Sequence, residues 1–211
     1  MRDSGKSSFI LLILRILDPT AETAAGITID DLPLQRIHRE TLRRRIIAVP
    51  QDLVFLAEGD TFRSMLDPYG TSSEKDCRTV LEDVGLARAV DAAGGIGATA
   101  SPDSLSHGQK QLFSLAVAIL RARHRAETLG ARESRGGILL LDEVTSSVDA
   151  ETEETMQRVI GDVFRHYTVV AVTHRTNHLE KYDKVYVMAD GEVVRSGAPS
   201  SIISDGNISL Q

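Results

Sequence analysis

The stretch from residue 138 to residue 149 constrains the fold more than any other part of this sequence. It reads ILLLDEVTSSVD. Four consecutive branched apolar residues are typical of a strand that is buried on both faces of a parallel sheet. Asp142 and Glu143 follow directly, so such a strand carries two carboxylates to the carboxyl edge of the sheet, where open α/β folds bind their ligands. The stretch therefore predicts an α/β fold with a candidate site at this edge.

A phosphate-binding pattern stands near the start of the chain. Gly5, Lys6 and Ser7 match the last part of Gly-x-x-x-x-Gly-Lys-[Ser/Thr], and residues 7–17 are predicted to form the helix that follows. In such a loop, backbone N–H groups and the helix N-terminus receive phosphate oxygens. The lysine adds a positive charge at the β- and γ-phosphates, and the serine hydroxyl binds Mg²⁺. The tripeptide is common by chance, so it gains weight only together with other motifs.

A second pattern, LSHGQKQL at residues 105–112, precedes an apolar helix predicted over residues 113–120. Ser106 is placed as an N-cap and Gln109 stands at the third helical position, which predicts a capping box. The same geometry, with Gly108 at the helix start, also suits an anion site for a phosphate. The residues alone leave both interpretations open.

Two further predicted strands end in polar residues. The first covers residues 46–49, and Pro50 and Gln51 follow it. A glutamine there is either a contact for a metal or a water, or an ordinary polar turn residue. The second strand covers residues 168–172 and leads to His174, the one histidine that we interpret as functional.

The rest of the chain supplies the frame. Residues 26–32 predict a short edge strand and turn, and residues 184–188 and 192–195 predict a hairpin around Asp190 and Gly191. Helices are predicted over residues 61–67, 73–93 and 150–164, and we interpret residues 61–122 as a helical subdomain inserted between sheet strands. The charged stretch 122–137 predicts a solvated loop. The tail after Pro199 is predicted to be loosely packed.

Composition excludes several classes of protein. Thirty acidic residues outnumber 24 basic ones, and the net charge of -6 argues against a general nucleic-acid binder. The apolar run at residues 9–14 is too short to span a bilayer. A single cysteine excludes an internal disulfide and a cysteine-rich metal site. A chain of 211 residues is long enough to bury a core without such staples.

Taken in order, these motifs resemble the nucleotide-binding domain of ATP-binding cassette (ABC) transporters over nearly the whole chain. The segments SMLDPY, LSHGQKQL and EVTSSVD are similar to the second such domain of the multidrug-resistance-associated (C) subfamily. The resemblance implies a P-loop NTPase fold with a mainly parallel central sheet, the inserted helical subdomain and a small antiparallel β portion. It also implies that residues 1–211 form one ABC ATPase domain that lacks its first strands.

The resemblance assigns a role to each motif residue. Glu143 matches the general base that activates water, and His174 matches the switch histidine near the γ-phosphate. Mg²⁺ would be held by Ser7, Gln51 and Asp142. The residues that match ATP-binding positions are Ser4, Gly5, Lys6, Ser7 and Ser8 in the Walker A loop, Gln51 in the Q-loop, Ser106, Gly108 and Gln109 in the signature motif, and Asp149 in the D-loop.

The function implied is ATP binding and hydrolysis that powers transport by an exporter. Its partners would be a second nucleotide-binding domain, packed head to tail, and transmembrane domains, with the cassette at the cytoplasmic face of a membrane and no nucleic acid bound. An alternative is a catalytically silent fragment that acts as a binding or regulatory module. A soluble cassette ATPase of DNA repair or translation is disfavoured, because the sequence has neither a long coiled-coil insertion nor tandem cassettes.

Several positions depart from the family pattern. Asp3 stands where the Walker A loop has its middle glycine, and the first glycine would precede Met1. A carboxylate about 5 Å from a phosphate charge costs about 3 kcal/mol at an effective dielectric constant of about 20. His107 replaces a glycine of the signature motif, and Val117 replaces an arginine. We expect the hydrolytic half of the site to be better preserved than the binding half, and the chain to be a fragment of a longer transporter.

Overall fold

The computed structural model describes residues 5–20, 26–51, 59–101, 103–133, 136–145 and 148–204. Two units make up the chain. A terminal unit comprises Met1–Arg44 and Val172–Gln211, and a central unit comprises Arg45–Ala171. Within the described residues, no helix is both long enough and apolar enough to cross a bilayer.

A three-stranded sheet lies at the centre of the described structure. Its strands are β3 (Ile46–Val49), β4 (Ile138–Asp142) and β5 (Thr168–Val172), in the order β3-β4-β5. β3 and β4 are parallel, with Ile46 opposite Ile138 and Val49 opposite Leu141. These bounds confirm the three strands predicted from the apolar runs. The run in β4 is buried on both faces as predicted, whereas most of β5 is only partly buried.

Helices cover the sheet in the central unit. They are α3 (Phe62–Leu66), α4 (Glu74–Asp83), α5 (Ala87–Ala92), α6 (His107–Glu133) and α7 (Ala150–Val163). Their apolar faces form one buried cluster with the strands, in which the rings of Phe62 and Phe113 lie 5.9 Å apart. Each large side chain buried there stabilises the fold by roughly 1.5–3 kcal/mol.

The single helix predicted over residues 73–93 is wrong, because two helices occupy this segment. α4 begins at a capping box formed by Ser73 and Asp76 and ends before Gly85. Gly85 has a φ of 75°, a left-handed conformation that glycine adopts readily and that does not continue a helix. α5 then begins at Ala87.

The solvated loop predicted over residues 122–137 is also wrong, because α6 continues to Glu133. Arg125 is only 8% exposed. Its Nη1 donates to the carbonyl oxygen of Arg45 at 3.1 Å, and its Nη2 donates to that of Gly136 at 2.7 Å. Its guanidinium also lies 5.7 Å from the ring centre of Tyr167. The buried side chain of Arg125 thus donates hydrogen bonds to the backbone just before β3 and just before β4. It also packs on Tyr167, the residue before β5.

Short elements make up the terminal unit. These are α1 (Lys6–Ile13), the hairpin of β1 (Thr28–Ile29) and β2 (Leu32–Pro33), most of α2 (Arg39–Arg45), the hairpin of β6 (Val185–Ala189) and β7 (Glu192–Gly197), and α8 (Pro199–Ser204). The predicted hairpin around Asp190 and Gly191 is confirmed, and both residues have positive φ, as a two-residue turn requires. The expectation of a loosely packed tail is wrong for residues 199–204, because α8 buries Ile202.

α1 is shorter than the predicted helix over residues 7–17. It ends at Ile13, and Arg15 follows with a φ of 51°. Arg15 Nη1 donates to the carbonyl oxygen of Ile37 at 2.8 Å, and Arg39 donates twice to the Asp18 carboxylate, at 2.7 and 2.9 Å. These polar contacts turn the chain away from the helix axis, which periodicity alone does not reveal.

Candidate functional site

The end of β4 presents the two predicted carboxylates. Asp142 is the last residue of the strand, and Glu143 follows with a φ of 52°. A residue other than glycine is uncommon in this left-handed region, and such residues cluster at functional sites. Burial, and next the charge of Glu143, raise the pKa of Asp142 above its ordinary value. A nearby cation would therefore stabilise the charged form of the Asp142 carboxyl group.

Asp149 caps the N-terminus of α7. Its Oδ1 accepts the backbone N–H of Thr152 at 2.9 Å, and its Oδ2 accepts the Thr152 hydroxyl at 3.0 Å. The backbone bond, and then the hydroxyl bond, hold the pKa of Asp149 below its ordinary value. The side chain is exposed, so a fixed negative charge stands at the surface beside the helix start.

The predicted capping box at the start of α6 is confirmed. The N–H of Ser106 donates to Gln109 Oε1 at 2.9 Å, and the N–H of Gln109 donates to Ser106 Oγ at 3.3 Å. Ser106 is exposed. The role of Ser106 and Gln109 at a nucleotide stays a prediction.

Gly108 brings the N-termini of α6 and α7 together. A Cβ atom at this position would lie 3.4 Å from Thr152 Oγ1 and 3.8 Å from Asp149 Oδ2. A larger side chain would push the two helix starts apart. The segments predicted as signature motif and D-loop are thus neighbours, and the positive ends of two helix dipoles lie close together.

Gln51 follows β3, with its own side chain exposed. Its carbonyl oxygen accepts a hydrogen bond from Nε2 of Gln111, a side chain that is 1% exposed on α6. Within the central unit, Gly108 therefore lies close to Asp149. The helix α6 also contacts the backbone of Gln51.

The phosphate-loop residues lie in the terminal unit. Gly5 has a φ of 82° and is the N-cap of α1, and Lys6 is the first helical residue. Ser7 and Ser8 are exposed on the first turn, while Ser4 lies outside the described residues. A Cβ at Gly5 would lie 3.2 Å from the Cα of Gly191, so a glycine is required both by φ and by the close approach to the β6–β7 turn.

His174 also lies in the terminal unit. It is exposed on the loop that follows β5. The N–H of Arg175 donates to Thr173 Oγ1 at 2.9 Å, which shapes this loop. The site roles of His174 and of the phosphate-loop residues stay predictions.

The oxygen ligands assigned to Mg²⁺ fit that ion chemically. Ser7, Gln51 and Asp142 offer a hydroxyl, an amide oxygen and a carboxylate, and Mg²⁺ binds few protein oxygens besides phosphate and water. No cluster of three or more His, Cys, Asp or Glu side chains suited to a metal occurs in the described part of the chain.

Two contacts were missed by reasoning from the sequence. Thr152 is an unremarkable helical residue until Asp149 is seen to accept from it. The sequence motifs assign no role to Gln111, although a glutamine just before an apolar helix is a signal when it faces the core, because buried polar groups need partners.

A parallel sheet with two carboxylates at the end of one strand is an α/β arrangement that P-loop NTPases share. Residues 3–125 match the family described as ABC transporter. The chain belongs to the ABC transporter family, whose cassette domain binds ATP. The family that the motifs resemble is thereby confirmed.

Fungal transporters are among the similar proteins. The ABC-type transporter braE of Annulohypoxylon truncatum is 53% identical over 204 residues, which cover 96% of this chain and 14% of that protein. The ABC transporter FGM5 of Gibberella zeae is 47% identical over 200 residues, covering 94% and 13%. The ABC transporter FUM19 of Gibberella moniliformis is 42% identical over 217 residues, covering 95% and 14%. The chain thus spans about one seventh of the length of these relatives.

Proposed function

We propose that this chain is the ATP-binding and ATP-hydrolysing cassette of an ABC exporter. The observation that carries the proposal is the end of β4, where Asp142 and Glu143 stand in a sharp turn at the carboxyl edge of a parallel sheet. The family match and the relatives named as transporters support it. The segments SMLDPY and EVTSSVD further favour the second cassette of the multidrug-resistance-associated subfamily.

The hydrolytic step needs a base, a positioned water and neutralisation of the phosphate charge. In this proposal Glu143 accepts the proton of the attacking water, and a carboxylate base of this kind contributes about 10²–10⁴-fold. His174 holds the γ-phosphate by a hydrogen bond. Ser7, Gln51 and Asp142 would hold Mg²⁺, which would supply neutralisation of the phosphate charge.

The binding step uses the start of α1. Backbone N–H groups of Gly5 and the exposed first turn receive phosphate oxygens, and Lys6 adds its positive charge. The hydroxyls of Ser4, Ser7 and Ser8 complete this loop.

The partner of the cassette in this proposal is a second cassette, packed head to tail. Ser106, Gly108 and Gln109, at the exposed start of α6, face the nucleotide held by that second domain, and Asp149 lies beside them. The helices within residues 61–122 form the helical subdomain. Transmembrane domains complete the exporter, and the cassette lies at the cytoplasmic face of their membrane.

ATP binding by the chain tests the proposal. A titration with a fluorescent ATP analogue and Mg²⁺ should give a dissociation constant well below millimolar. Lys6→Ala should weaken binding at least about tenfold, which is about 1.4 kcal/mol. Lys75→Ala is the matched control, because Lys75 is an exposed lysine on α4, and it should bind like the native chain. Millimolar or absent binding by the native chain would instead favour the binding or regulatory alternative.

A further inference from the structure

We propose that Gln111 is a positioning residue that fixes the backbone at Gln51, the residue assigned to Mg²⁺. The inference deepens the proposed function and rests on it for the role of Gln51. Its structural basis is the hydrogen bond from Gln111 Nε2 to the carbonyl oxygen of Gln51. This bond joins α6 to the point where the chain leaves β3.

Packing does not explain a glutamine at position 111. The side chain is 1% exposed, and its neighbours along α6, Leu112 and Phe113, are buried apolar residues. Gln111 Oε1 is buried and has no hydrogen-bond partner within the part of the chain that the structure describes. A buried polar atom without a partner destabilises a fold, so an apolar residue of the same size would suit this position better for stability.

Residues that are unfavourable for stability are expected where function requires them. At position 111 the functional requirement is the hydrogen bond that Nε2 donates to the carbonyl oxygen of Gln51. The preceding residue, Pro50, has no N–H to donate, so the backbone at this turn has fewer ways to be fixed. The side chain of Gln51 is exposed, and its direction therefore depends on how its backbone is held.

The same face of α6 also reaches the D-loop. Gly108 and Gln111 are three residues apart, so they lie on one side of the helix. Gly108 approaches Thr152 and Asp149, while Gln111 bonds to Gln51. The first two turns of α6 are thus a rigid connection between the segment assigned to Mg²⁺ and the segment assigned to the partner cassette.

The test compares the native chain with Gln111→Met, which keeps the length of the side chain and removes both polar atoms. Hydrogen exchange of a peptide covering residues 46–51, measured without nucleotide, should be at least about threefold faster in the variant. The thermal midpoint should change little, because removal of the unpartnered oxygen offsets the loss of the hydrogen bond to the exposed residue Gln51. Ser114→Ala is the control, since Ser114 Oγ is a second buried atom on α6 without a partner among the described residues. It should leave the exchange of this peptide unchanged.

Nucleotide turnover adds a second readout. Gln111→Met should weaken the apparent affinity for Mg²⁺ about tenfold at saturating ATP, as changes to groups that orient metal ligands do. Unchanged hydrogen exchange of residues 46–51 in the variant would overturn the inference. A lowered thermal midpoint together with faster exchange throughout the chain would also overturn it, because that result indicates a purely structural role for Gln111. A native chain that neither binds nor hydrolyses ATP contradicts the proposed function, while the exchange measurement still decides whether Gln111 holds Gln51.

Discussion

Gly108 on α6 and Thr152 on α7 lie so close that a Cβ atom on the glycine would stand 3.4 Å from the threonine Oγ1. The same hydroxyl donates to Asp149. The first turn of α6 therefore packs against the start of α7, which Asp149 caps. Helix propensity does not account for a glycine in the first turn, because glycine is about 1 kcal/mol less favourable than alanine inside a helix.

Gly108→Ala tests what this glycine is for. The new methyl group just reaches ordinary contact with Thr152, and alanine is the better helix former, so we expect the free energy of unfolding to stay the same or rise by up to about 1 kcal/mol. ATP turnover should nevertheless fall, because the methyl group stands between the starts of α6 and α7, which the proposed function places beside the nucleotide of the partner cassette. Urea unfolding and an ATPase assay measure the two effects. Lower stability with unchanged turnover would reverse this interpretation.

Arg125→Met tests the buried arginine. The variant leaves the carbonyl oxygens of Arg45 and Gly136 without their donor, and we expect a loss of about 3 kcal/mol in the free energy of unfolding. Arg121→Met, on the exposed side of the same helix, should change it by less than about 0.5 kcal/mol. Urea denaturation measures both variants. Equal small losses would mean that α6 does not depend on the contacts of Arg125 with the two strand entries.

Asp149 should make stability depend on pH in the acid range. Its folded-state pKa is lowered, so its contribution to stability is fully present above the ordinary pKa of about 3.9 and is lost as the pH falls through the folded-state value. Asp149→Asn keeps an oxygen that can cap α7 but does not titrate. The stability difference between the native chain and this variant should be constant above about pH 5 and should change below about pH 4. A difference that does not vary with pH would contradict the lowered pKa.

Local patterns predicted much of this fold. The run from Ile138 to Asp142 is long and apolar enough to predict a buried strand. The Ser106–Gln109 capping box is predictable because it is a contact within one helix turn. The loop prediction for residues 122–137 is wrong because their charge indicates solvent, whereas the buried Arg125 donates to the carbonyl oxygens of Arg45 and Gly136.

The contacts of the candidate site were harder to foresee. The bond from Gln111 to Gln51 spans 60 positions in the chain, and no local rule reports it. The break at Gly85 and the early end of α1 each depend on a single left-handed residue, Gly85 and Arg15, which hydrophobic periodicity does not reveal. Propensity is a weak guide at such positions.

Glu143 is the proposed base for hydrolysis. The most direct measurement is the ATP turnover of Glu143→Gln alongside its ATP affinity, with the native chain as reference. Glutamine has nearly the same shape but cannot accept the proton from water, so turnover should fall at least about 100-fold while the dissociation constant for ATP stays within about twofold. Turnover at the native rate in Glu143→Gln would contradict the assignment of Glu143 as the base.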